Sequence, residues 1–108
     1  MPEPRHIVVV EDLFIRQFLQ TALRRLGYRV TGAMPAEATR LLLAGEVDLL
    51  ITNNPSTFAE FGADVPLLYL AAFPDIELAA CFRRCVALRK PFQTSELRTA
   101  VEQLLGNG

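Results

Sequence analysis

The chain has 108 residues, 51% of them hydrophobic, which is enough to build the core of one domain. The formal net charge is −1, so we do not expect a protein that binds nucleic acid through a basic surface. No apolar run is long enough to span a membrane, and the first residues lack the apolar core of a secretory signal. We therefore expect a cytoplasmic protein with no membrane contact.

Apolar runs alternate with helical patterns along the chain. The β-branched run from His6 to Val10 predicts a strand that is buried on both faces. Further strands are predicted over 28–31, 49–52, 65–70 and 86–89. Helices are predicted over 14–26, 35–44, 74–84 and 97–105, the first of them with an apolar pattern that begins at Phe14 and Phe18. This alternation indicates an α/β fold with a parallel sheet covered on both faces.

Charged and polar side chains follow several of the predicted strands. Glu11 and Asp12 follow the first strand, Asn53 and Asn54 follow the third, and Lys90 follows the fifth. Parallel strands bring these positions to one edge of the sheet, which is where α/β proteins of this kind bind their ligands. The predicted site therefore contains two acids, two amides and one cation.

Three stretches of sequence at these strand ends resemble the receiver domain of bacterial two-component response regulators. They are "VVVED" at 8–12, "VDLLITN" at 47–53 and "RKPF" at 89–92, in the family's order. The resemblance extends from His6 to Leu105. It implies one domain over 1–108 with its core at 6–105, a three-layer flavodoxin-like sandwich, and strand order 2-1-3-4-5. It also implies phosphorelay signalling with a sensor kinase as partner, rather than an enzyme.

The same resemblance assigns roles to individual positions. In the family, an acidic pair and an acceptor aspartate hold Mg²⁺ while the aspartate receives a phosphoryl group, which a lysine contacts. Glu11 and Asp12 match the acidic pair, and Lys90 matches the lysine. The acceptor position is occupied by Asn53.

Two switch positions of the family are also changed in this chain. Ala71 stands where the family has a hydroxyl residue, and Ala87 stands where it has an aromatic residue. A carboxamide at Asn53 cannot form the acyl phosphate that a carboxylate forms, and it removes a hard oxygen ligand from any metal site. We therefore expect an atypical receiver that does not catalyse phosphotransfer, needs no cofactor, binds Mg²⁺ weakly if at all, and acts by binding other proteins.

Two further expectations concern Lys90. In the absence of phosphoryl chemistry, its ammonium group should pair with Asp12 or Glu11, because a buried pair is costly to break. The bond between Lys90 and Pro91 should be cis, as it usually is in the family, since proline makes the cis form accessible.

The segments after the third and fourth strands differ from the family's pattern. Asn54 as cap, Pro55 at the first position and Gly62 after the end predict a third helix of about two turns, which is shorter than usual. In the predicted fourth helix, Leu78, Phe82 and Cys85 form a second apolar stripe. We interpret that stripe as a contact for a signalling partner or a homodimer, formed with the fifth strand and the last helix. Burial inside the domain is the alternative.

Other functions remain open at this stage. A receiver could use a different phosphoacceptor, or the polar groups at the sheet edge could bind a small molecule, since asparagine both donates and accepts hydrogen bonds. A nucleotide enzyme is less well supported because the chain lacks a glycine-rich phosphate loop. The only two cysteines, Cys81 and Cys85, are expected to share a helix face as reduced thiols, with no metal.

Overall fold

The computed structural model describes residues 3–106. Five parallel strands form one sheet in the order β2-β1-β3-β4-β5, which confirms the predicted fold class. The strands are β1 (His6–Val10), β2 (Arg29–Gly32), β3 (Leu49–Thr52), β4 (Leu67–Ala71) and β5 (Cys85–Arg89). The helices are α1 (Leu13–Arg25), α2 (Pro35–Leu43), a 3₁₀ helix (Pro55–Phe61), α3 (Ile76–Ala79) and α4 (Thr94–Leu105).

The sheet separates two apolar layers because neighbouring side chains of a strand point to opposite faces. Ile7 and Val9 of β1 face the layer covered by α1 and α4. Val8 and Val10 face the layer covered by α2, the 3₁₀ helix and α3. Every residue of β1 is buried, as expected for a central strand of a parallel sheet.

The last helix agrees with its sequence pattern, whereas the first agrees only in part. All five apolar positions predicted for the core side of α4 are buried: Leu97, Ala100, Val101, Leu104 and Leu105. In α1, Leu19 and Leu23 are buried, but Phe14 is 82% exposed and Phe18 is 44% exposed. The apolar pattern of α1 is therefore broader than the face that the core covers.

The short helix after β3 follows the prediction closely. It begins at Pro55 and ends at Phe61, with Gly62 at its C-cap, although its geometry is 3₁₀. Asn54 precedes it but does not cap it through its side chain. The Asn54 Oδ1 atom instead accepts a hydrogen bond from the Ser56 hydroxyl at 2.8 Å.

The helix predicted over 74–84 is wrong in its length. The observed helix α3 is one turn, Ile76–Ala79, capped by the Asp75 carboxylate, and the chain then bends into β5 at Cys85. Tertiary contacts end the helix. Phe82 turns into the core with 5% exposure, and the Arg83 amide donates to the Gly62 carbonyl at 2.8 Å. Cys81 and Cys85 therefore do not share a helix face.

Among residues 3–106, the longest helix has 13 residues, and none is long and apolar enough to cross a membrane.

Candidate functional site at the carboxyl edge of the sheet

The strand register brings the predicted site positions to one edge. Val10 is paired with Thr52, so Glu11 and Asn53 are the next residues on neighbouring strands. Further along the same edge, at the ends of β4 and β5, the Lys90 amide donates to the Ala71 carbonyl at 2.8 Å. Residues from four strand ends thus form this edge, as the sequence predicts.

An ion pair between Glu11 and Lys90 is the main contact at this edge. The Lys90 Nζ atom lies 3.0 Å from Glu11 Oε2, which confirms the predicted pairing. The Glu11 side chain has no exposed surface, whereas that of Lys90 is 23% exposed. Two strands separate β1 from β5, a distance of about 14 Å at ordinary strand spacing. The pair therefore bridges the edge above the ends of β3 and β4.

The two carboxylates of the acidic pair have separate structural roles. Glu11 Oε1 accepts a hydrogen bond from the Asp12 amide at 3.1 Å, and Glu11 Oε2 has only the ionic contact with Lys90. Asp12 is exposed and is the N-cap of α1, where its Oδ1 atom accepts from the Ile15 amide at 3.2 Å. A carboxylate at this position also interacts favourably with the helix dipole.

Asn53, which the resemblance places at the acceptor position, is exposed. Asn53 follows Thr52, which is fully buried and whose hydroxyl oxygen accepts a hydrogen bond from the Asn54 amide at 3.1 Å. This bond fixes the turn that leaves β3 and so fixes the position of Asn53. The Asn53 carboxamide presents neutral donors and acceptors where the family has a negative charge.

The two positions that the resemblance assigns to a switch carry alanine side chains. Ala71 ends β4 without a hydroxyl, and Ala87 is an exposed residue of β5 that pairs with Tyr69. The neighbouring Lys90–Pro91 peptide bond is cis, which confirms that prediction. The backbone of this edge therefore follows the expected pattern although its side-chain chemistry differs.

The residues at the edge do not fit the Mg²⁺ ion that the resemblance implies. Magnesium requires several hard oxygen ligands, usually including carboxylates. Glu11 is already neutralised by Lys90, whose ammonium group would repel a cation, and Asn53 contributes no charge. In the part of the chain that the structure describes, no group of three or more His, Cys, Asp or Glu residues could hold a metal ion.

The apolar stripe predicted as an interaction face is largely internal. Phe82 is buried in the layer that contains α2 and the 3₁₀ helix, and Leu78 and Cys85 are partly buried against the same layer. Burial raises the pKa of the Cys85 thiol from 9.0 to about 11. These three residues therefore correspond to the alternative of burial within the domain, and Phe82 does not present a surface to a partner.

Sequence reasoning missed two contacts of aromatic side chains near β4 and β5. The Tyr69 hydroxyl oxygen accepts a hydrogen bond from the Asp75 amide at 3.2 Å, which ties the start of α3 to the sheet. The Arg89 guanidinium lies 5.3 Å from the centre of the Phe73 ring, and its Nε donates to the Ala72 carbonyl at 3.0 Å. The sequence signal for the first of these contacts was Tyr69 inside an apolar run, because the hydroxyl of a buried tyrosine needs a hydrogen-bond partner.

His6 has a structural role at the opposite edge of the sheet. It is 3% exposed, with Nδ1 2.7 Å from the Glu46 carbonyl and Nε2 2.7 Å from the Thr31 hydroxyl. The carbonyl can only accept, so Nδ1 carries a proton. The His6 amide also donates to Asp48 Oδ2 at 2.7 Å, which engages that carboxylate far from the candidate site.

Comparisons with known proteins identify the fold. No family model and no curated protein matches the chain. Among solved structures, a signal receiver domain of an HD domain-containing protein from Pseudomonas fluorescens is 26% identical, with a TM-score of 0.79, and the match covers 99% of this chain and 90% of that one. A response regulator protein from Thermotoga maritima, solved in complex with Mg²⁺ and BeF, is 25% identical, with a TM-score of 0.76 and coverage of 94% and 99%.

A chemotaxis response regulator of Vibrio cholerae is similar in fold at 20% identity, with a TM-score of 0.81 and coverage of 94% of this chain and 99% of that one. The TM-scores show that these neighbours share the overall fold found here. The chain has the receiver-domain fold of two-component response regulators.

Proposed function

We propose that this chain is an atypical receiver of two-component signalling in the cytoplasm, one that is not phosphorylated at the usual position and acts by binding a signalling protein. The observation that carries this proposal is the Glu11–Lys90 ion pair beside a neutral Asn53. In this arrangement the lysine already has a counter-charge, and the acceptor position has no carboxylate to attack a phosphoryl donor.

No nearby acid offers a replacement acceptor. Asp12 caps α1, and Asp48 is held by the His6 amide at the other end of β3. Asp64 lies in the loop before β4. These placements favour the inactive receiver over one that uses another residue. They also disfavour a small-molecule site at this edge, since Glu11, Asp12 and Asn54 already have partners within the chain.

Exposed apolar residues near β5 support an interaction role. Phe73 is 82% exposed and Ile76 is 83% exposed, in the segment that replaces a longer fourth helix. Large apolar side chains in one exposed segment favour a protein contact. The partner surface therefore comprises Phe73, Ile76 and the exposed Ala87 of β5, instead of the stripe that includes Phe82.

Phosphodonor labelling tests the chemical part of this proposal. The protein and its Asn53→Asp variant are incubated with acetyl phosphate and Mg²⁺ and then analysed by intact-mass spectrometry. We expect no phosphoryl adduct on the unmodified chain. An adduct on it, mapped to any side chain, would contradict the proposal and identify the acceptor.

The Asn53→Asp variant shows how much of the site remains. An adduct on this variant alone would attribute the inactivity to residue 53. No adduct on either protein would mean that the ion pair and the alanine at position 71 also prevent the reaction. Both results agree with the proposal, and they differ in how many substitutions inactivate the site.

A further inference from the structure

A groove lies between the second half of α1 and the first turn of α4, on the face of the sheet opposite α2. Its volume is about 500 Å³, within the range of sites that bind small molecules. The residues that line it are Phe18, Thr21, Ala22, Arg25, Leu26, Thr94, Ser95 and Arg98. None of the candidate residues at the carboxyl edge is among them.

The apolar part of the groove is held in place by the core. Ala22 packs against the buried cluster beneath α1 and α4. Phe18 contacts Phe92, with ring centroids 6.2 Å apart and planes inclined at 50°, and Phe92 packs on the same cluster. Leu26, 38% exposed, adds to the apolar lining. A ligand would therefore meet a largely preformed apolar surface, which lowers the cost of binding.

The charged part of the groove is positive. The Arg25 guanidinium has no ion-pair or hydrogen-bond partner among residues 3–106. Arg98 is 61% exposed and lies 3.7 Å from Glu102, an exposed pair of the kind that contributes little. No acidic residue lines the groove. Two guanidinium groups beside an apolar surface complement a ligand that has both an anionic group and an apolar body.

Polar donors also occur at the start of α4. Thr94 and Ser95, which carry hydroxyl groups, line the groove and are the first two residues of the helix. The Gln93 amide donates to Glu96 Oε1 at 2.9 Å. The first amides of the helix have no intrahelical partner, as at any helix start. These donors are of the kind that would hold the anionic group of a ligand near Arg98.

We propose that this groove binds a free amphiphilic organic anion, one with an aromatic or long aliphatic body and a single carboxylate, sulfonate or phosphate group. The body contacts Phe18, Ala22 and Leu26, and the anionic group is bound by Arg25 and Arg98. This site is separate from the carboxyl edge and would give the domain an input that does not depend on phosphorylation.

The probe for this site is 8-anilinonaphthalene-1-sulfonate, which combines an aromatic body with one sulfonate group. Its fluorescence is titrated with the folded protein, and decanoate is added as a competing anion. We expect saturable binding of one dye per chain, displaced by decanoate. The uncharged analogue N-phenyl-1-naphthylamine should bind at least about tenfold more weakly, because a hydrogen-bonded charge contributes roughly a factor of ten or more in affinity.

Charge variants test the position of the site. Arg25→Glu and Arg98→Glu should each weaken dye binding about tenfold or more. Arg40→Glu is the matched control, because Arg40 is an exposed residue of α2 on the opposite face and carries the same change in net charge. It should leave the dye affinity unchanged. Equal effects of all three variants would mean a non-specific charge effect and would overturn the proposal.

A filling variant tests the groove itself. Thr21 is exposed and lines the groove, so Thr21→Trp would occupy the volume without entering the core. Circular dichroism establishes that each variant is folded, and we expect this one to lose dye binding. Unchanged dye binding in this variant, or dye binding that does not saturate, would overturn the proposal. A flotation assay with phosphatidylglycerol vesicles distinguishes a free anion from a membrane surface. Flotation that depends on the two arginines and is not reversed by decanoate would also overturn a site for a free anion.

Discussion

Removal of Lys90 should destabilise the domain more than removal of its partner. In Lys90→Ala, the carboxylate of Glu11, which has no exposed surface in the unmodified domain, loses its counter-charge. Breaking a buried pair in this way costs roughly 3–5 kcal/mol. Because Lys90 is 23% exposed, water can enter the space it leaves, so we expect the lower limit, about 3 kcal/mol.

Removal of the carboxylate should cost less. In Glu11→Gln, the lysine ammonium loses its partner but can turn towards water, and the Gln carbonyl can still accept from the Asp12 amide. We expect a loss of about 1 kcal/mol, the usual size for one polar contact. The double variant Lys90→Ala/Glu11→Gln should be more stable than Lys90→Ala alone, because it contains no buried unpaired charge.

Urea unfolding followed by far-ultraviolet circular dichroism measures these differences, which suits a chain without tryptophan. The double-mutant cycle then gives the coupling between the two residues. Both single variants could instead lose the same small amount of unfolding free energy, with the two losses adding in the double variant. That result would refute the inference that the ion pair organises this edge.

Three further predictions follow from packing and burial. Gly62→Ala should cost about 1–3 kcal/mol in unfolding free energy, because the added Cβ would overlap the Cys81 carbonyl oxygen. Unchanged stability in urea would contradict this prediction. Phe58→Ala should cost about 3–5 kcal/mol in unfolding free energy because Phe58 is fully buried. Phe14 is 82% exposed, so Phe14→Ala should change stability by less than about 0.5 kcal/mol. Comparable losses in urea unfolding would be inconsistent with the described core. Burial raises the pKa of the Cys85 thiol from 9.0 to about 11, so between these pH values the thiol keeps its proton in the folded state and loses it in the unfolded state. The unfolding free energy should therefore fall as the pH rises above 9, and it should fall less in Cys85→Ala.

The sequence was sufficient for the parts of the fold that depend on local pattern. The β-branched run of β1 and the helical spacing of Leu97, Val101 and Leu104 in α4 specify both an element and its buried face. The cis bond at Pro91 and the Lys90 pairing were also predictable, the first from the resemblance and the second from the cost of an unpaired buried charge.

The segment after β4 could not be predicted because contacts distant in sequence determine it. Its apolar spacing is compatible with a helix to residue 84, yet Phe82 leaves that pattern to fill the core. The close approach of Gly62 to the Cys81 carbonyl and the bond from the Arg83 amide to the Gly62 carbonyl then end the helix. Such contacts override helix propensity and have no local sequence signal.

The predicted interaction stripe was wrong at Phe82 for the same reason. An apolar residue on a presumed helix can face either the core or a partner, and spacing alone does not distinguish them. In the same segment, Phe73 and Ile76 are exposed, although Ile76 belongs to the other apolar stripe of the predicted helix and Phe73 precedes that helix. The groove beside α1 likewise depends on how α1 and α4 are placed, which no single segment encodes.

The most direct test of the proposed function is a titration with Mg²⁺ and beryllofluoride, a mimic of the phosphoryl group, followed by ¹⁵N-edited nuclear magnetic resonance. The observed groups are the backbone amides of Asn53, Asn54, Ala71 and Lys90, with a phosphorylatable receiver as the positive control. We predict no saturable shift of these amides, because Asn53 and the Glu11–Lys90 pair leave neither a metal site nor a nucleophile at the edge. A saturable shift centred on Asn53 and Lys90 would contradict the account, because it would show that the edge still binds Mg²⁺ and a mimic of the phosphoryl group.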